Sequence, residues 1–231
     1  MAATPQQIPL AIRLDEEASW DNWVSRPVTQ SLEAALQQRA DQSAGIYLWG
    51  KAGSGRSHLL QAVCLQAQHE SRYLPLSLLT TYPPQAVFEQ AELSEVIVID
   101  DLESISESRP WQEALFHLFN RALHSGATLV IAGDAPPQQL GGWLPDLQSR
   151  LGSLLVFHLP EYDDVALREL FVRRIQCRGI VVSDEVVNYV MTRTERSPRA
   201  LMALIDIIDQ ETLIRGRSLS IPLLRDINLW S

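Results

Sequence analysis

The stretch that decides the fold is IYLWGKAGSGRSHLL, residues 46–60. It is typical of a buried strand, a glycine-rich turn and the first turn of a helix. The turn follows the phosphate-binding pattern G-x-x-x-x-G-K-S/T at every fixed position but one, because Arg56 replaces the lysine. Backbone N–H groups in such a turn surround a nucleotide phosphate, and the helix N-terminus adds favourable partial charge. An ordinary glycine turn is the alternative, but an acidic motif farther along the chain favours a phosphate loop.

The residues of the predicted phosphate loop are expected to have separate roles. Its glycines let the backbone approach a phosphate closely, and Ser57 is placed to bring its hydroxyl to Mg²⁺. Arg56 keeps a positive charge, but its planar guanidinium does not reproduce the point contact of a lysine ammonium between phosphates. We therefore expect little or no ATP turnover by the chain itself. The predicted nucleotide contacts in the loop are Gly50, Gly53, Ser54, Gly55, Arg56 and Ser57.

An acidic pair, Asp100 and Asp101, ends the apolar run at residues 96–99. Behind a phosphate loop, a carboxylate at the end of such a strand can hold Mg²⁺ through water, and its neighbour can polarise an attacking water. We assign the first role to Asp100 and the second to Asp101. A turn that simply follows a strand is the alternative, since aspartate is common there.

The remaining pattern predicts an α/β domain with a parallel sheet flanked by helices, followed by a small all-α domain. Buried strands are expected at 46–49, 96–99, 129–132 and 154–159, with a further strand at 73–79 and helices at 57–70 and 111–124. After residue 160 only helices are expected, with N-caps at Asp163 or Asp164, Ser183 and Ser197. The expected organisation is a flexible tail over 1–14, a nucleotide-binding domain over 15–160 and a helical domain over 161–231.

Composition limits the classes of function. The net charge of −9 opposes direct DNA binding, which depends on phosphate neutralisation, and favours protein partners. No apolar run is long enough to span a membrane, and the N-terminus lacks the pattern of a secretory signal. Cys64 and Cys177 are expected to be small buried side chains of a cytoplasmic protein.

Two arginines outside the loop are further candidates. Arg150 can reach the γ-phosphate held by a neighbouring molecule, or it can be a surface residue paired with a local acid. Arg199 lies at a predicted helix N-terminus, where a cation is mildly unfavourable, which hints at contact with the nucleotide. Asp134 follows the strand at 129–132, where a polar residue can sense the γ-phosphate, but an aspartate suits a turn better there.

These motifs together resemble those of AAA+ ATPases of the bacterial replication-initiator, or DnaA, type. The resemblance covers nearly everything after residue 15. It implies that Arg150 is an arginine finger, that His58 and Arg199 join the nucleotide contacts, and that residues 20–23 lie near the adenine. The matching segments are 20–23, 50–57, 99–102, 133–137, 149–151 and 199–201.

Two departures from the initiators narrow the resemblance to their regulatory inactivators, the Hda group. From the stop at Ser231 we expect the chain to lack the initiators' DNA-binding domain, and Arg56 stands in the loop. The group also carries a sliding-clamp motif of the form Q-L/I-x-L-x-L/I, which is matched here by Gln7, Ile8, Leu10 and Ile12. An apolar N-terminal strand would explain this hexapeptide equally well.

The resemblance to the Hda group implies a regulatory adaptor. The expected ligands are ADP or ATP with Mg²⁺, and the expected partners are DnaA and the sliding clamp, the β subunit of DNA polymerase III. Arg150 would act in trans on ATP held by DnaA. A self-acting AAA+ ATPase of the helicase-loader or initiator type, and a scaffold without effect on hydrolysis, remain the alternatives. Homo-oligomerisation stays open.

Overall fold

The computed structural model describes residues 12–38 and 45–227. The described chain forms two compact units. The first contains residues up to Trp20 together with Pro27–Pro160, and the second contains Asp21–Arg26 and the residues from Glu161 onward. Within the described part of the chain, every helix is too short or too polar to cross a membrane.

In the part of the first unit that the structure describes, five parallel strands form a sheet in the order β2-β3-β4-β1-β5. The three central strands form from nearly continuous apolar runs, as parallel strands covered on both faces do. Since all strands run in one direction, their carboxyl ends meet at one edge of the sheet. The strands are β1 (Gly45–Trp49), β2 (Ser71–Pro75), β3 (Val96–Asp100), β4 (Thr128–Gly133) and β5 (Leu155–His158).

Helices cover the sheet and connect its strands. Ile97 and Ile99 of β3 pack into an apolar cluster with residues of the helix Arg109–Ser125. Val96 and Val98 point to the opposite face, since strand side chains alternate. The described residues of this unit form the α-helices α1 (Gln30–Gln38), α2 (Arg56–Ala67), α3 (Leu76–Leu79), α4 (Pro84–Val87), α5 (Arg109–Ser125) and α6 (Pro145–Gly152). The expected α/β fold is confirmed.

Two expectations about strands were wrong. The predicted strand at 73–79 stops at Pro75, and Leu76–Leu79 form a helical turn whose Leu76 carbonyl accepts from the Thr80 N–H. The run at 154–159 does form a strand, β5, but it lies at the sheet edge and Leu155 and Val156 stay more than one-third exposed. An apolar run alone therefore did not distinguish an edge strand from a buried one.

The second unit is helical after residue 160, as predicted, and contains α7 (Asp164–Cys177), α8 (Asp184–Met191), α9 (Pro198–Arg215) and α10 (Ile221–Asp226). Asp163, Ser183 and Ser197 cap their helices, because each side chain accepts a hydrogen bond from the backbone N–H of the residue three positions farther along. The helices share one apolar core, in which Phe171 and Ile205 are fully buried.

The segment Asp21–Arg26 groups with this helical unit, although sequence reasoning assigned it to the α/β domain. The Asp21 carbonyl accepts from Arg173, and Arg26 stacks on Tyr162 at 4.3 Å from the ring centroid. These are contacts between residues far apart in sequence, which no local pattern reports.

The prediction that Cys177 is buried was also wrong, because it is exposed, while Cys64 is buried.

Candidate functional site

The phosphate loop connects β1 to α2 and lies against the ends of two other strands. The Gly50 N–H donates to the Gly133 carbonyl at 3.2 Å. A Cβ on Gly50 would stand 2.3 Å from the Leu159 carbonyl oxygen, so only glycine fits. Gly53 and Gly55 have φ values of +83° and +100°, which other residues rarely adopt. The loop therefore has a backbone conformation that its glycines make accessible.

Polar groups in the loop fit a bound phosphate. The Ser54 side chain is fully buried, and its Oγ has no hydrogen-bond partner among the described residues. Helix α2 begins after Gly55, whose lack of a side chain leaves the first N–H groups without a side-chain cap. The next residue after Arg56, Ser57, is exposed at this helix start. Unused donors at a helix N-terminus and a glycine cradle fit nucleotide phosphates.

Arg56, expected to contact the nucleotide, forms an ion pair with Glu103. Its Nη2 lies 2.8 Å from Glu103 Oε1, and Nη1 lies 3.5 Å from Oε2. The Arg56 side chain is 8% exposed and that of Glu103 is 31% exposed. Glu103 belongs to a 3₁₀ turn, Leu102–Ile105, directly after the acidic pair. Sequence reasoning missed Glu103; the signal that could have found it was an unusual arginine in a loop next to an acid-rich turn.

Asp100 ends β3 and is 1% exposed. Its Oδ2 accepts from the Tyr73 hydroxyl at 2.8 Å, and its Oδ1 accepts from the Asp101 N–H at 2.9 Å. Burial, and then repulsion by Asp101, raise the pKa of Asp100, while hydrogen bonds from Ser57, Tyr73 and the Asp101 N–H oppose that rise. The structure thus brings together Ser57 and Asp100, the two residues predicted to hold Mg²⁺.

Asp101, expected to polarise water, has a left-handed backbone with φ of +54°. Its carboxylate accepts a hydrogen bond from the Ser77 hydroxyl, and the residue is half-buried. Tyr73 and Ser77, which hold the two carboxylates, were not singled out from the sequence because they lie on β2 and α3, far from the acidic pair in sequence.

A buried tyrosine lies beneath the β4 end of the site. The Tyr47 hydroxyl donates to the Ala135 carbonyl at 2.7 Å, and a Cβ on Gly133 would stand 2.6 Å from that hydroxyl. Burial, followed by the charge of Asp134, raises the pKa of Tyr47, so the phenol stays protonated and keeps donating. Asp134 itself is exposed.

Comparison with known proteins agrees with this geometry. The family model described as the bacterial DnaA ATPase domain matches residues 84–158, and the model described as the Hda lid domain matches residues 163–227. Together the two matches cover more than half of the chain. The chain is a DnaA-like AAA+ protein. Its helical C-terminal unit is an Hda-type lid.

Solved structures share this AAA+ fold. Domain III of the replication initiation protein DnaA from Thermotoga maritima superposes with a TM-score of 0.76 at 23% identity, covering 93% of this chain and 98% of that one. AMPPCP-bound DnaA from Aquifex aeolicus gives 0.70 at 19% identity over 88% of this chain and 68% of that one. The RuvB Holliday junction branch migration motor of Thermotoga maritima gives 0.65 at 16% identity, over 90% and 70%.

In the DnaA-like domain, the predicted arginine finger lies on α6. Arg150 is in the last turn of this helix and exposed, and its guanidinium carbon is 5.9 Å from the centroid of the Phe119 ring. Among the residues that the structure describes, no carboxylate forms an ion pair with Arg150. The interpretation of Arg150 as a surface residue paired with a local acid therefore finds no support in the described chain.

The remaining predicted site residues are His58, Arg199 and those of the clamp motif. His58 lies in the first turn of α2, with Nε2 2.9 Å from the Ser19 carbonyl oxygen. In the Hda-type lid, Arg199 is exposed in the first turn of α9, next to the capping residue Ser197. Of the predicted clamp motif, Gln7, Ile8 and Leu10 lie outside the described residues, and Ile12 packs partly buried against the apolar core of the α/β unit.

Proposed function

We propose that this chain is a regulatory inactivator of the replication initiator DnaA. It binds ADP, docks on the DNA-loaded sliding clamp and promotes hydrolysis of the ATP that DnaA holds, so that replication does not restart. The observation that carries this proposal is the match of residues 163–227 to the Hda lid, attached to a DnaA-like domain.

The phosphate loop would hold the nucleotide diphosphate. Backbone N–H groups of the loop and of the α2 N-terminus would donate to phosphate oxygens, and the buried Ser54 Oγ has unused hydrogen-bonding capacity there. Ser57 and Asp100 would hold Mg²⁺, which supplies charge neutralisation at the phosphates. Tyr73 keeps the Asp100 carboxylate in one orientation, since its hydroxyl donates to Oδ2. Arg199 would approach the nucleotide from the lid.

Arg150 would act on a different molecule. An exposed guanidinium without an ion pair in the described chain is free to donate to the γ-phosphate bound by DnaA. There it would stabilise the negative charge that builds up in the transition state of hydrolysis. Arginines supplied in trans accelerate GTP hydrolysis by ~10³–10⁵ in GTPase systems. The clamp motif, Gln7, Ile8, Leu10 and Ile12, would bring the chain to DNA-loaded clamp.

The test is ATP hydrolysis by DnaA in the presence of DNA-loaded clamp, with and without this chain. We expect the wild-type chain, preloaded with ADP, to stimulate hydrolysis, and Arg150→Ala to lose nearly all stimulation while still binding ADP. Arg109→Ala is a matched control, because Arg109 is also exposed on a helix of the same unit. Equal stimulation by wild type and Arg150→Ala would contradict the proposal.

A self-acting AAA+ ATPase is the second candidate, and one observation favours it. Asp100 ends β3 and Asp101 follows it directly, as acidic residues would in an enzyme that hydrolyses its own ATP. In that case the purified chain would turn over ATP without DnaA or clamp, and Asp101→Asn would abolish that turnover. Under the adaptor proposal, Asp101→Asn leaves the stimulation of DnaA intact.

A further inference from the structure

The ion pair between Arg56 and Glu103 changes the charge that a bound nucleotide would meet. The lysine position of a phosphate loop normally offers an uncompensated cation to the outer phosphates. Here the guanidinium is 2.8 Å from a carboxylate oxygen, and its side chain is 8% exposed. Because the Arg56 side chain is largely shielded from water, the two charges cancel more effectively than those of an exposed ion pair would.

The surroundings of this pair are acidic. Asp100 and Asp101 lie directly before the turn that carries Glu103. With Arg56 compensated, this side of the loop has a surplus of negative charge until Mg²⁺ binds. A triphosphate brings one more negative charge than a diphosphate, so the same surroundings disfavour the triphosphate more strongly.

We propose that Glu103 is a specificity-determining residue that favours a nucleoside diphosphate over the triphosphate by holding Arg56. The inference rests on the nucleotide binding proposed above. The Arg56 guanidinium contacts both carboxylate oxygens of Glu103, at 2.8 Å and 3.5 Å, and the γ-phosphate would have to compete with that carboxylate for it. The diphosphate is held mainly by backbone N–H groups of the loop, which the pair does not affect.

The experiment measures the affinities of the full-length chain for fluorescent ADP and ATP derivatives, with Mg²⁺, for wild type and Glu103→Gln. Glutamine keeps the size of the side chain and an acceptor oxygen but removes the charge. The ratio of ATP affinity to ADP affinity should rise about tenfold, the size of a partly screened charge interaction. An unchanged ratio would overturn the proposal.

Two further variants separate electrostatics from folding. Glu113→Gln makes the same chemical change in an exposed pair with Arg109 on α5 and should leave the ratio unchanged. In an Arg56→Gln background, Glu103→Gln should raise the ratio less, because it then removes only the direct repulsion between Glu103 and phosphate and releases no guanidinium. A rise of equal size in that background would overturn the assigned role of Arg56. Thermal melting of each variant identifies any that fail to fold.

The outcomes also distinguish this inference from the proposed function. If the folded wild-type chain binds neither nucleotide, nucleotide binding itself is wrong and the inference fails with it. If wild type binds both and Glu103→Gln leaves their ratio unchanged, only the inference fails. Stimulation of DnaA by Arg150 is measured separately and does not enter the ratio.

Discussion

Arg56 and Arg150 belong to the same α/β unit and carry the same charge, but their surroundings differ. Arg56 is buried beside the phosphate loop and paired with Glu103. Arg150 is exposed on α6, its guanidinium carbon lies 5.9 Å from the centroid of the Phe119 ring, and it has no ion pair within the described chain. The pairing of Arg56 suits a structural role beside the proposed nucleotide site, whereas the exposure of Arg150 suits the proposed contact with another molecule. The comparison therefore contrasts the proposed nucleotide site with the proposed contact to DnaA.

The largest effect on ADP affinity and stability is expected from a substitution in the phosphate loop. Gly50→Ala places a Cβ 2.3 Å from the Leu159 carbonyl and 2.8 Å from Ser54 Oγ, so the backbone must move. We expect ADP affinity to fall by more than roughly tenfold and stability to fall by more than about 2 kcal/mol. Isothermal titration and urea unfolding measure both.

The control for that variant is Gly141→Ala. A Cβ on Gly141 meets nothing within 4 Å and its φ lies outside the left-handed region. This variant should keep both ADP affinity and stability. Equal losses in the two variants would show that the close packing at Gly50 does not matter.

A second, smaller effect is expected on the free energy of unfolding when the two arginines are replaced one at a time. Arg56→Ala leaves the partly buried Glu103 carboxylate uncompensated and should lower the free energy of unfolding by about 1–3 kcal/mol. Arg150→Ala removes an exposed side chain and should change it by no more than about 0.5 kcal/mol. Urea unfolding of both variants checks this difference, and equal values would remove the structural basis of the comparison.

The fold could be predicted largely because its central strands are apolar on both faces. Residues 96–99 and 129–132 have one dominant interpretation, and the structure makes them strands. The errors arose where packing partners decide. Pro75 ends β2 early, and β5 stays exposed because the sheet stops there.

Within the candidate site, the sequence predicted which residues lie near each other but not what they contact. Ser57 and Asp100 do meet. The pairing of Arg56 with Glu103 and the hydrogen bond from Tyr73 to Asp100 depend on side chains from separate elements. Local patterns carry no information on such pairings, so these had to be read from the structure.

The smallest effect is expected at a third arginine, on the lid. Arg199 adds a positive charge to the first turn of α9, where cations are unfavourable. Arg199→Ala should therefore leave stability unchanged or raise it by about 0.3–1 kcal/mol. The proposed contact between Arg199 and the nucleotide predicts that the same variant binds ADP roughly threefold more weakly. Arg196→Ala is the control, because Arg196 is exposed and pairs with Asp164 at 3.1 Å. Equal changes in ADP affinity would contradict a specific role for Arg199.

The most direct test of the central claim, that Arg150 acts on DnaA and not on the chain's own nucleotide, is a competition experiment. ATP hydrolysis by DnaA with DNA-loaded clamp is measured with a fixed amount of wild-type chain and increasing Arg150→Ala variant, both loaded with ADP. The account predicts that the variant stimulates nothing by itself and progressively inhibits wild-type stimulation, because it still docks but lacks the guanidinium. Stimulation by the variant, or failure to compete while it binds ADP normally, would contradict it.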